Sequence, residues 1–112
     1  MRILGIILFM LLLDQQVFSQ ERTKFFGQAL LGIHDNKLVP SIEGEIRKNP
    51  KIKVVRIDAL SGQVFIITNE LIFWQEKEFI DLFGPNSGNL TCIFVGVYGK
   101  DAIKEFPFAD CK

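Results

Sequence analysis

The stretch from Gly27 to Thr68 constrains the fold most. It changes its hydrophobic period three times within a short span. Lys24 to Ile33 is densely apolar on both alternating faces. Phe25, Gly27, Ala29, Leu31 and Ile33 fall on one side, and Phe26, Gln28 and Leu30 on the other. A strand apolar on both sides belongs in the interior of a sheet. Gly27 and Ala29 are small enough to let a helix approach it closely. His34 to Lys37 cannot continue the strand, because Asp35-Asn36 is a turn signal, and Asp35 is placed to cap a helix. Val39, Ile42 and Ile46 then recur at helical spacing, with Glu43, Glu45, Arg47 and Lys48 on the other side. Pro40 is tolerated in a first turn, and Asn49-Pro50 ends the helix, giving a span from about Leu38 to Lys48. Gly44 weakens it by about 1 kcal/mol relative to Ala. Ile52 to Leu60 is rich in β-branched residues, with Val55, Ile57 and Ala59 expected to face the core and Arg56 and Asp58 outward. Ser61-Gly62 signals a hairpin, and Val64 to Thr68 is the returning strand.

The remainder continues the pattern less sharply. Phe79, Ile80 and Phe83 fit a helix face, Gly84-Pro85 stops it, and a start near Trp74 is expected. Leu71 to Trp74 could instead extend the preceding strand or pair with it across Asn69-Glu70. Pro85 to Asn89 reads as a loop and Leu90 to Tyr98 as a strand. Ile103 to Phe108 reads as one more strand, placed at an edge because of Pro107. The expected architecture is a single α+β domain of β-α-β-β-α-β order with an extra C-terminal strand. That order is the ferredoxin-like split βαβ.

The N-terminus has the layout of a secretory signal peptide: Met1-Arg2, an apolar run from Ile3 to Leu13, then Asp14-Gln15-Gln16. A spanning helix takes about 20 apolar residues, and this run is shorter. Val17 and Ser19 place cleavage before Gln20, leaving residues 20–112 as one extracellular domain. The 13 basic and 13 acidic residues balance, so no strong field favours nucleic acid or an anionic membrane. Arg47, Lys48, Lys51, Lys53 and Arg56 nevertheless cluster, as do Glu70, Glu76, Glu78 and Asp81; opposite-sign neighbours on a solvated face explain both. Cys92 and Cys111 are the only cysteines. In an exported chain they suggest a disulfide, the alternative being buried or intermolecular thiols. A hairpin centred between Asp101 and Ala102 would place them opposite one another. Asn89-Leu90-Thr91 is an N-glycosylation sequon in a polar loop.

Residues Gly32 to Glu43 resemble the loop and first helix of heavy-metal-associated domains, the copper-chaperone family. Its pattern is Gly-Met-Thr-Cys-x-x-Cys, then a helix with Ile or Val four residues on, often followed by Glu. Asn49-Pro50-Lys51-Ile52-Lys53-Val54-Val55, Asp58 and Ser61-Gly62-Gln63-Val64 are similar to its continuation. The resemblance covers Gly27 to Thr68, and more loosely reaches Tyr98. The family's two metal cysteines fall on Asp35 and Leu38. Copper(I) takes soft thiolate or thioether ligands, so copper transfer does not carry over to these positions.

His34 is the only histidine. With Asp35 it could furnish part of a zinc or copper(II) site, but such a site needs three or four ligands, and neither a metal nor a cofactor is expected. One histidine leaves little for a Ser-His-Asp or Cys-His set, no carboxylate pair forms a recognisable acid/base motif, and no glycine-rich phosphate loop is present. Eleven Phe suit a core, and any left exposed would mark a partner site. The expected function is that of a small secreted, non-enzymatic protein that binds another extracellular protein. Candidate surfaces are His34, Asp35 and Lys37 in the loop; Lys51, Lys53 and Arg56 on the strand; and the edge near Phe106 and Phe108. The alternatives are an extracellular metal binder using His34 and Asp35, or a cystatin-like protease inhibitor. For the last, Ser61-Gly62-Gln63-Val64-Phe65 is similar to an inhibitory loop but has Ile67 where the second Gly would stand, and a second helix disfavours it.

Overall fold

A computed structural model describes residues 21–108 and Cys111. The expected signal peptide and its cleavage point lie outside these residues. The order is β1 (Phe25–Leu31), α1 (Leu38–Arg47), β2 (Ile52–Ile57), β3 (Gln63–Thr68), α2 (Glu76–Asp81), a 3-10 helix (Gly84–Asn89) and β4 (Leu90–Val97). The strands form one antiparallel sheet in the order β2-β3-β1-β4. The chain is thus a small α+β domain with both α-helices on one face of the sheet.

β1 is central, as its two apolar faces demand, pairing with β3 on one side and β4 on the other. The helix-covered face carries Ala29, Leu31, Val55, Val64 and Ile66, all buried against Ile42 and Ile46 of α1 and Phe79 of α2. Burying side chains of this size contributes roughly 1.5–3 kcal/mol each, which outweighs the weak helix propensity around Gly44. Trp74 meets Phe79 edge-on at 5.9 Å, and Phe79 lies 5.5 Å from Phe83. Gly27 is what admits α2: a Cβ there would overlap the Phe79 ring and come within 3.2 Å of Trp74.

The boundaries differ from expectation where side chains reorganise the backbone. β2 stops at Ile57 because Asp58 builds the loop. Its carboxylate accepts from the Leu60 amide (3.1 Å) and the Ser61 hydroxyl (2.8 Å), and its carbonyl accepts from Gly62. Gly62 has φ +79°, and a Cβ would sit 2.5 Å from the Leu31 carbonyl oxygen. Leu71 to Trp74 is neither strand nor helix. Leu71 makes a single bridge to Thr23, and α2 begins only after Gln75, whose side chain and that of Glu78 cap it reciprocally. Pro85 to Asn89, expected as loop, lies within a 3-10 turn, Gly84–Asn89, started by Pro85.

The expected extra C-terminal strand is a correction. Ile103 to Phe108 take no strand conformation. Asp101 accepts the Val97 amide at 2.7 Å, turning the chain off the end of β4. The segment then crosses the helix-free face of the sheet, and there is no edge strand at Phe106 and Phe108. The Cys92–Cys111 disulfide is present without the hairpin expected to bring it about.

Candidate functional site

The helix-free face of the sheet is where unspent chemistry collects. Residues paired across an antiparallel ladder point to the same face. The register therefore places Arg56, Phe65, Gln28 and Phe94 in one row, and Val54, Ile67, Phe26 and Gly96 in the next. Gln63 and Leu30 continue the face beyond the first row.

Half of this face is covered by the chain itself. Gln28 is a buried amide in a strand that is otherwise apolar, and an unsatisfied one would cost several kcal/mol. It is satisfied by backbone: Nε2 donates to the Lys104 carbonyl at 2.8 Å, and Oε1 accepts the Lys104 amide at 2.9 Å. The side chain thus does for residue 104 what a neighbouring strand would do. Lys104 Nζ lies 4.4 Å from the centre of the Phe94 ring, within cation–π range. Phe26 is fully buried beneath, 5.7 Å from Phe94 and 6.3 Å from Phe65. Gly96 lets the segment lie close, since a Cβ there would stand 2.9 Å from Phe26 and 3.1 Å from Asp101. Beyond this strap, residues 101–108, the disulfide ties Cys111 back to β4.

The other half, over β2 and β3, has no such cover among the described residues. Leu30, Val54, Phe65 and Ile67 are half-buried there, and Arg56 and Lys53 are exposed at its rim. Lys24 stands beside Lys53, close enough to hydrogen-bond and repel it. This holds the Lys53 amine below the usual lysine range, and Glu70 pulls weakly the other way. The nearby Asp58 carboxylate is held below the usual carboxylate range by the Ser61 hydroxyl and the Leu60 amide. None of Lys24, Lys53 and Arg56 has an ion pair among the described residues.

The sequence-expected site residues are dispersed. Of the basic cluster, Arg47 and Lys48 pair along α1 with Glu43 and Glu45. Lys51 lines a groove with Trp74, Glu78 and Asp81. Only Lys53 and Arg56 reach the open half-face. In the His34–Lys37 loop, His34 Nδ1 donates to the Ala59 carbonyl at 2.9 Å, tying the loop to the β2–β3 turn. Asp35 Oδ1 accepts the amides of Lys37 (2.7 Å) and Leu38 (3.1 Å), which start α1 and hold the Asp35 carboxyl below its ordinary range. Among the described residues, no three His, Cys, Asp or Glu side chains group as metal ligands would. Asn89 is exposed at the end of the 3-10 turn, with Thr91 also exposed.

Phe65, Ile67 and Leu30 escape notice as surface residues because their spacing reads as core. The signal that could have found the strap is Gln28, since a lone amide inside such an apolar strand needs backbone partners from somewhere. No described helix is long and apolar enough to cross a membrane. Comparison of the chain with protein-family models, curated proteins and solved structures returns no match to any of the three.

Proposed function

We propose that this is a small exported, non-enzymatic protein with a ferredoxin-like split βαβ core, which acts by binding another extracellular protein through the open half of its helix-free sheet face. The element order and the β2-β3-β1-β4 order support the fold. The disulfide supports an oxidising destination. The observation that carries the functional reading is the asymmetry of the face. One half is closed by a strap, with every buried side-chain polar atom among the described residues partnered. Leu30, Val54, Phe65 and Ile67 stay half-buried on the other. These side chains are half-buried and not exposed; a covering segment of a partner would complete their burial as the strap does on the other half.

The edges of the sheet are less suited to the task. β2 carries a bulge between Ile52 and Val54 together with Lys53 and Arg56. β4 is interrupted near Cys92, which has φ +57°. Bulges and charges of this kind discourage strand addition.

The test places a photo-crosslinking residue at Phe65 and, separately, at the exposed Lys77 of α2, in protein returned to the extracellular fluid of its source. A discrete protein adduct at position 65 alone, suppressed by excess unmodified protein, is expected. Equal labelling at both positions, or none at either together with a turnover activity in the purified protein, would refute the reading.

A further inference from the structure

The covered half of the face shows what the open half would accept. The strap is a non-strand segment laid on the sheet, held by one polar clamp at Gln28 and by the Lys104 side chain seated against the aromatic row. The open half continues the same rows: Arg56 and Phe65 stand beside Gln28 and Phe94, and Val54 and Ile67 beside Phe26 and Gly96. It differs in charge. Lys53 and Arg56 border it, with Lys24 and Glu70 beside Lys53, while the Asp58 oxygens are engaged by Ser61 and Leu60.

We infer that the open half-face binds an extended acidic segment of a partner protein, lying beside the chain's own strap with its carboxylates toward Lys24, Lys53 and Arg56 and alternate apolar side chains on Val54, Phe65 and Ile67. The inference rests on the binding function proposed above and names the chemistry of the partner. Lys53 and Arg56 are exposed and make no ion pair among the described residues, so both are open to an arriving carboxylate. Balanced net charge argues that this is a local docking feature, not a general affinity for polyanions. An extended segment places alternate side chains toward the sheet, so its apolar residues meet Val54, Phe65 and Ile67 while the long Lys53 and Arg56 side chains at the rim extend to the carboxylates between them.

The experiment uses the secreted product of the full-length chain and four probes: a labelled peptide alternating Glu with Val and Phe, its Lys-for-Glu counterpart, a single-stranded oligonucleotide, and phosphatidylserine-containing vesicles. Preferential binding of the acidic peptide is expected, weakening with added salt as exposed charge pairs do. The double variant Lys53→Glu and Arg56→Glu should lose about tenfold or more in affinity and shift preference toward the basic peptide. Both positions are exposed, and an unchanged far-ultraviolet spectrum verifies folding; Phe65→Ser is the second variant and should weaken binding without changing charge preference. Equal binding of both peptides, no binding of either, or tighter capture of the oligonucleotide or vesicles would overturn the inference. If a protein adduct forms at position 65 while the acidic peptide fails, only this inference falls; loss of both removes the binding reading as well.

Discussion

At the scale of single residues, Asp35 shows how a side chain expected to touch a ligand is committed to the backbone. Its Oδ1 accepts two amides at the start of α1. Those bonds favour the ionised form and lower its pKa from the ordinary 3.8. A carboxyl whose folded value lies below its unfolded value stabilises the fold above the unfolded value, and that contribution is lost as pH falls through the folded one. Asn at this position keeps an acceptor oxygen but not the charge. Asp35→Asn should therefore be less stable than the parent at neutral pH, with the gap closing as pH drops below 3.8. Thermal midpoints across that range measure it, and a gap independent of pH would show that the charge contributes nothing. His34 is held in a similar way: its Nδ1 donates to the Ala59 carbonyl, which fixes the ring and leaves Nε2 as its open atom.

At the scale of elements, the strap replaces the expected edge strand. Its apolar residues, Ile103, Phe106 and Phe108, are interspersed with polar ones much as in a strand, and from spacing alone the two are indistinguishable. The difference comes from Asp101, which turns the chain, and from Gln28, which catches it on the sheet face. Gln28→Leu removes both bonds to Lys104 while keeping comparable bulk. A loss of roughly 1–3 kcal/mol in urea unfolding is expected, with faster hydrogen exchange at the Lys104 amide while the disulfide still holds Cys111. Unchanged protection of that amide would mean the clamp does not hold the strap. The disulfide, with its sequence separation of 19, would contribute roughly 3 kcal/mol more in the chain-entropy model.

At the scale of the whole molecule, the domain has two unlike faces. One face is closed by both helices and the other is half closed by the strap. The His34 loop and the β2–β3 turn are bonded together at one end, near the 3-10 turn, where Gly32 donates to the Asn89 carbonyl at 2.8 Å. Asn89 is exposed there, so a glycan would project from that end. Expression through a eukaryotic secretory route should yield a product that loses mass on treatment with an amidase specific for N-linked glycans, and Asn89→Gln or Thr91→Ala should abolish the difference. A product of peptide mass in the parent protein would show that the sequon is not used.

Local signals were enough for the four sheet strands and two α-helices and their order, but not for the 3-10 turn or the segment after β4. The doubly apolar run around Phe26 to Leu31, the helical spacing of Val39, Ile42 and Ile46, and the breaks at Asn49-Pro50 and Gly84-Pro85 all act over a few residues, so they are legible without tertiary contacts. The pair Cys92 and Cys111 was legible because only one intramolecular pairing exists. Tertiary structure alone decided that the chain after Tyr98 crosses a face and does not line an edge. It also separated Lys53 and Arg56 from Arg47, Lys48 and Lys51, and left Phe65 and Ile67 half-open. The reason is physical: periodicity tells which residues share a face. What covers that face depends on hydrogen bonds such as Gln28 to Lys104, between residues 76 positions apart, whose formation no local pattern records.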